Sequence, residues 1–322
     1  MGFKIGITGG AGYIGSMLAR RLREAAFEVR IIDNFSYSSK DVVEDLKDIG
    51  VDIIEGDVLN DKDLDRFLDG VGFIYHLASI ANIAECSKDI EKSCRLNVFS
   101  TYFLLDKIKN NSNIKGFFFS SAIAAIYGEP DYSPVDEEHP VKVIHDYGVL
   151  KRSSELFCQS YYRRYGTPIV IGRQSNVYGP SPMLKVDSAV HAFINQVANG
   201  NNITIFGSGE QRRNFIFIHD LIDAYHQVLN KAQTGNNIFG EIYNLAGEEA
   251  TIKDVAETVI QLGNTILDKK VQVEYREGRK EALSTDLKVS IEKAKRVLGW
   301  EPKYSLDEGI KATFDYICQR RD

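Results

Sequence analysis

Four glycines fall within seven positions near the start of the chain: Gly9, Gly10, Gly12 and Gly15 of the run TGGAGYIG. They separate a short β-rich segment, residues 3–8, from residues 13–25, where Ile14, Met17, Leu18 and Leu22 recur at helical spacing. A strand that must turn sharply into a helix needs backbone freedom there, and glycine supplies it. Strand and helix patterns then alternate. Strands are predicted at 29–33, 51–55, 72–77, 116–120 and 168–172, and helices at 61–68, 87–108 and 147–165. Such alternation implies crossover connections and a mostly parallel sheet with helices on both faces. Runs such as VRIID and FFFS are almost continuously apolar, as strands covered on both faces require.

After about residue 180 the texture changes to helical stretches (189–198, 252–262, 291–298) mixed with short strands (203–206, 242–245, 271–275). The expected division is a first domain over 1–179, joined by 215–246, and a smaller discontinuous second lobe drawn mainly from 180–322. The fold class is therefore α/β, a doubly wound parallel sheet with a smaller C-terminal α/β lobe.

Charge narrows the function classes. Lys and Arg number 39 against 45 acidic residues, a net charge of −6, which argues against a nucleic-acid partner. No apolar run has the length of a membrane span, and no secretory pattern opens the chain, so a cytoplasmic protein is expected. Cys86, Cys94, Cys158 and Cys318 are far apart, and the six histidines are equally scattered. No metal site is expected from that spacing.

In a strand–turn–helix context the glycines have a further task. One lets backbone N–H groups approach a pyrophosphate and one permits close packing of helix on strand, while the helix N-terminus offers unpaired N–H groups to the phosphates. Asp33 ends the second strand 18 residues after Gly15. A carboxylate there accepts hydrogen bonds from adenosine ribose hydroxyls and repels a 2′-phosphate, which points to NAD rather than NADP. Asp57 and Val58, after the third strand, suit contact with adenine, with a turn or helix cap as the alternative for Asp57.

Tyr147 and Lys151 lie four apart on a predicted helix and share one face. A free tyrosine, with a pKa of ~10, is a poor base at neutral pH. A nearby ammonium favours the phenolate, so the pair can take a hydroxyl proton as hydride leaves the same carbon.

These residues, together with His76-Leu77-Ala78, Asn97, Ser120 and Ser121 ahead of Tyr127-Gly128, RQSNVYGP (173–180), IFGSGEQRRNFIFIHD (205–220) and LGWEP (298–302), resemble the extended short-chain dehydrogenase/reductase family. The likeness is to its NAD-dependent nucleotide-sugar epimerase/dehydratase group, near UDP-glucose 4-epimerase-like enzymes, and it runs through almost the whole chain. It implies a Rossmann-type sheet, a tightly held NAD, a nucleotide-diphosphate sugar as substrate, and a homodimer paired through helices around 101–109 and 153–162. It implies cofactor contacts at Gly9, Gly12, Tyr13, Ile14, Gly15, Asp33, Asn34, Asp57, Val58, Leu77, Ala78 and Asn97, besides Tyr147 and Lys151. Tyr147 becomes the base, Lys151 its partner and a ribose ligand, and Asn176, Arg213 and Arg276 the contacts to the nucleotide diphosphate. His76 reads as a packed strand-end residue.

The sequence departs from the family pattern in three places. The Ser or Thr expected four residues before Tyr127 is Ile123, which leaves Ser121 as the candidate for that role. The segment AIAAIYG (122–128) has no acid before Tyr127, where related 4,6-dehydratases carry an Asp-Glu pair and decarboxylases a Glu. After Arg276-Glu277-Gly278 the usual ribose-binding acid is Arg279, with Glu281 as a substitute. The leading expectation is a nucleotide-sugar 4-epimerase. A 4-dehydrogenase or ketoreductase on a hexose or heptose comes next, then a 4,6-dehydratase or decarboxylase, and last a non-catalytic NAD-binding protein.

Overall fold

The computed structural model describes residues 2–181, 188–235, 237–267, 270–277 and 286–319. Its main sheet has seven parallel strands: β1 (Lys4–Thr8), β2 (Val29–Asp33), β3 (Asp52–Glu55), β4 (Val71–His76), β5 (Gly116–Ala122), β6 (Ile169–Gln174) and, arriving late in sequence, β10 (Ile242–Leu245). Their order is β10-β6-β5-β4-β1-β2-β3. The chain builds outward from β1 in one direction and then from β4 in the other, so the order reverses between those two strands. Ligands of such sheets bind outside the strand ends at that reversal.

Strand alternation sorts the core. Phe73, Tyr75 and Phe118 face one side, with Leu18, Tyr225 and Val228, while Ile74, Phe117 and Phe119 face the other, with Leu104, Leu105 and Cys158. All of these side chains are essentially inaccessible. At about 25 cal/mol per Å² of apolar surface removed from water, this double layer is the main stabilising term.

The five remaining strands are β7 (Asn176–Tyr178), β8 (Ile203–Phe206), β9 (Arg212–Phe217), β11 (Glu249–Thr251) and β12 (Val273–Arg276). They form a three-stranded sheet, β11-β9-β7, and a parallel pair, β12-β8. Helices Ala189–Ala198, Ile252–Leu267 and Leu306–Gln319 cover them, and their apolar faces continue the first core layer. Asp220 ties the IHD and LGWEP segments together: its carbonyl accepts from Trp300 Nε1 at 3.0 Å, and its carboxylate accepts from the backbone N–H groups of Lys303 and Tyr304. Among the described residues no helix is long and apolar enough to cross a membrane.

Candidate active site

Thr8 on β1 pairs in register with His76 on β4, so the glycine turn and the segment 77–80 leave the sheet side by side. Gly9 has φ +66°, and a Cβ on it would lie 2.9 Å from the Ala78 backbone. A Cβ on Gly15 would lie 2.3 Å from the Gly9 carbonyl oxygen, and Gly12 caps the first helix, Tyr13–Glu24, with no side-chain bond to its leading N–H groups. The turn is thus closed by backbone against backbone, and the helix N-terminus is left to an external acceptor. Ile14, Leu77 and Ala78 are half-buried around it. The Tyr13 hydroxyl donates to the Gly179 carbonyl at 3.1 Å, linking the turn to the start of the second region.

Asp33 accepts from Ala11 N at 2.9 Å through one oxygen and from Phe35 N at 2.8 Å through the other. Burial pushes its pKa up and these two N–H groups oppose the shift. Each oxygen retains a lone pair for ribose hydroxyls, and the geometry fits a dinucleotide. Other expected contacts are engaged locally. Asn34 Oδ1 accepts from Ser36 N and Ser36 Oγ in an exposed turn, Asp57 Oδ1 accepts from Leu59 N at 2.8 Å, and Val58 packs in the core. Asn97 lies on a π-helical turn, Arg95–Phe99, and spends its amide on the Ile80 backbone, accepting at 2.8 Å and donating at 2.9 Å. Its carbonyl accepts from Ser154 Oγ. Asn97 therefore frames the cofactor-side loop and anchors it to the Tyr147 helix.

That helix runs Asp146–Tyr165, with the His145 ring capping Gly148 N. A Cβ on Gly148 would lie 2.3 Å from the Ala125 carbonyl oxygen, so the helix enters tightly against the short helix Ile123–Tyr127. Lys151 is buried, donates to the Ser120 carbonyl at 2.8 Å, and holds its Nζ 5.8 Å from the centre of the Tyr147 ring. Burial lowers its pKa to about 8. Burial also raises the Tyr147 pKa, so the phenolate needs nearby positive charge. His76 packs as expected, with Nδ1 2.7 Å from Thr8 Oγ1, and burial pushes its pKa down to about 3.

Ser121 is a correction. It is 1% exposed and donates to Glu155 Oε1 at 2.7 Å, so it faces a buried ion pair instead of the cleft. Glu155 binds Arg173 in bidentate fashion, at 2.8 Å for each bond, and also takes Arg152 at 3.0 Å. The Arg173 guanidinium carbon stands 4.9 Å from the centre of the Tyr127 ring, whose hydroxyl donates to Asn244 Oδ1. The reading of the sequence missed this cluster, although Glu155 repeats the Tyr147–Lys151 spacing one turn further on. The Lys–Glu turn clamps two consecutive β5 residues, Ser120 by its carbonyl and Ser121 by its hydroxyl.

On the substrate side, Asn176, Arg213 and Asn214 line a cleft with Ser175, Ile123 and Ala124. Asn176 Nδ2 donates to the Asn214 carbonyl at 3.0 Å, and burial lowers the Arg213 pKa. Arg276 lies exposed on β12, 3.6 Å from Glu274, and is not among the residues that line this pocket. Arg279 and Glu281 lie outside the described residues.

Known proteins share this architecture. Residues 5–246 match the NAD dependent epimerase/dehydratase family. A putative UDP-glucose 4-epimerase of Methanocaldococcus jannaschii is 31% identical over 319 residues, 97% of each chain. UDP-glucuronic acid decarboxylase 1 of Xenopus tropicalis is 29% identical, over 98% of this chain and 72% of its own. Among solved structures, UDP-glucose 4-epimerase of Thermotoga maritima, with UDP-glucose, superposes with a TM-score of 0.90 at 28% identity, over 99% of this chain and all of the other. UDP-glucuronic acid 4-epimerase of Bacillus cereus, with UDP-glucuronic acid and NAD, gives 0.86 at 32% identity over the same shares. This chain therefore belongs to the NAD dependent epimerase/dehydratase family and is an NAD-dependent enzyme of the extended short-chain dehydrogenase/reductase group.

Proposed function

We propose that the enzyme is a UDP-sugar 4-epimerase. The observation that carries this reading is the make-up of the segment 122–128, which packs against the Tyr147 helix at Gly148 and lines the pocket with Asn176 and Arg213. Its half-buried members are Ala122 and Ala124; Ile123, Ala125 and Ile126 are buried, and no acid is present. Eliminating water needs a general acid and a base beyond the tyrosine, and this segment supplies neither. Epimerisation at a carbinol carbon needs only the tyrosine and the cofactor. The epimerases among the structural relatives support a UDP-sugar.

The glycine turn, the first helix N-terminus and Asp33 would hold the dinucleotide. When bound, NAD supplies the hydride acceptor and donor. Tyr147 takes the proton of the C4 hydroxyl and later returns it. The Lys151 ammonium, fixed by the Ser120 carbonyl, stabilises the phenolate that receives this proton. Asn176 and Arg213 serve the diphosphate, since a guanidinium binds phosphate oxygens bidentately.

The test is to add UDP-glucose or UDP-galactose to the purified protein, follow reduced nicotinamide by absorbance and identify the sugar formed. The expected result is interconversion at C4 with no net NADH. Net NADH would instead support the 4-dehydrogenase or ketoreductase reading, loss of water a dehydratase, and loss of carbon dioxide from UDP-glucuronate, added separately, a decarboxylase.

The enzyme also works, on this reading, as a homodimer. Phe99, Phe103, Leu156 and Phe157 are exposed on adjoining helices, with the Tyr102 ring packed at a tilt against both Phe103 and Phe157. An apolar patch of this kind suits a second copy. Sedimentation should show a dimer that Phe157→Glu converts to monomer; an unchanged monomer in both proteins would sink the idea.

A further inference from the structure

Two carboxylates are buried among the described residues, Asp220 and Glu155. Asp220 is spent on the backbone N–H groups of Lys303 and Tyr304. Glu155 sits one turn beyond Lys151 on the helix Asp146–Tyr165, and positions four apart share a face. Lys151 is itself only 5% exposed. An ammonium enclosed to this degree loses its hydration, so it must find a counter-charge or give up its proton. The two side chains also grip neighbouring points of one strand, Lys151 at the Ser120 carbonyl and Glu155 at the Ser121 hydroxyl.

The titratable groups that face Lys151 come from three elements. Tyr147, Glu155 and Cys158 share its helix, Cys86 lies on the short helix Ile83–Lys88, and His76 ends β4. Burial pushes the Cys86 and Cys158 thiols and the Tyr147 hydroxyl up, which keeps them protonated, and holds the His76 ring neutral. Glu155 is the exception. Burial would raise its carboxyl, but the bonds from Arg173, joined by those from Ser121 and Arg152, bring it below the ordinary value, so it stays ionised. Among these groups it is the one charged at neutral pH, and its charge favours the ammonium. We propose that Glu155 is a positioning residue for the reaction: its carboxylate keeps the Lys151 ammonium charged beside Tyr147, and its bond to Ser121 steadies the Ser120 carbonyl on which that ammonium rests. Arg173 keeps Glu155 ionised, Glu155 keeps Lys151 ionised, and Lys151 serves the phenolate. This rests on the assignment of Tyr147 and Lys151 above.

Carbon NMR of the NAD-loaded protein, labelled at the lysine ε-carbons, reads the titration of Lys151 directly, with Lys151→Met identifying its signal. Glu155→Gln keeps an acceptor for Ser121 and removes the charge, so the Lys151 midpoint should fall by about one pH unit. The alkaline loss of kcat should move with it, leaving turnover at pH 8 about fivefold below wild type with KM nearly unchanged. A buried Arg173 left unpaired can prevent folding, so Glu155→Gln/Arg173→Gln, which neutralises the pair together, is measured alongside. The double variant should fold and lower the midpoint as well, since Glu155 and not Arg173 is the charge that acts on Lys151. A midpoint unmoved while the melting temperature changes would make the cluster purely structural and overturn the proposal. A midpoint that falls while the kcat profile stays in place overturns it too. Wild type that turns over no UDP-sugar overturns the function proposed above, and the lysine titration still decides whether Glu155 holds the charge.

Discussion

The two halves of the cleft are built from different materials. The cofactor half is made of backbone: a glycine turn closed against its own carbonyl, a helix N-terminus, and one carboxylate held by two N–H groups. The half proposed for the substrate is made of side chains drawn from three distant stretches, Ile123–Ala124, Ser175–Asn176 and Arg213–Asn214. A backbone site tolerates almost no added atom, because its walls cannot turn aside. A side-chain site tolerates substitution and changes its preference instead. This difference suits an enzyme family whose relatives keep the fold and differ in the sugar chemistry named for them.

Three experiments would break or sharpen that contrast. The largest effect is expected for Gly15→Ala, whose new methyl would stand 2.3 Å from Gly9 O and 2.8 Å from Gly10 Cα. Overpacking of this kind costs ~1–3 kcal/mol, so NAD retention should fall by about 10- to 100-fold. Nucleotide released per denatured chain measures it, and a fully loaded variant would show that the turn can yield after all. Arg213→Ala should come next. Losing charge-assisted bonds to a diphosphate weakens UDP binding by about tenfold. NAD content should stay constant, and a parallel fall in NAD would mean that the two halves are not separable.

The third experiment concerns pH, where the expected effect near pH 8 is only about twofold and grows above it. Burial holds the Lys151 pKa down at about 8, and the charged form is the one that supports the Tyr147 phenolate. Turnover should therefore be half-lost near pH 8 and then decline by about tenfold per pH unit. The sign for stability is the opposite. A lysine whose folded pKa is depressed binds fewer protons folded than unfolded, so its contribution favours the fold as pH rises from about 8 towards the unfolded value. A kcat profile flat to pH 10 would contradict the assignment of Lys151 as the charge that must be kept.

Part of the site was legible because it is local. Gly9 to Gly15 and Asp33 belong to one strand–turn–helix–strand unit, and Tyr147 and Lys151 to one helical turn, so spacing alone places them together. Ser121 was misplaced for the same reason. From the sequence it is a hydroxyl near the right tyrosine, but its direction depends on strand register. Ser121 pairs with Arg173 across β5 and β6, and Glu155 gathers both from 34 and 18 positions away. Asp57 and Asn97 taught a similar lesson. Asp57 Oδ1 and the Asn97 amide both bond neighbouring backbone, at Leu59 and at Ile80.

The sequence by itself determined the alternating strand and helix pattern, the glycine turn, the acid that ends β2 and the tyrosine–lysine pair, because each is set by spacing within one or two elements. Tertiary structure alone decided the order reversal between β1 and β4, the burial of Ser121 against Glu155 and Arg173, and the gathering of Ser175, Asn176, Arg213 and Asn214 around one pocket. The physical reason is that hydrogen-bond satisfaction is a property of the packed chain. Whether a polar atom is spent on its own fold or left for a ligand is settled only when every competing donor and acceptor has been brought within reach.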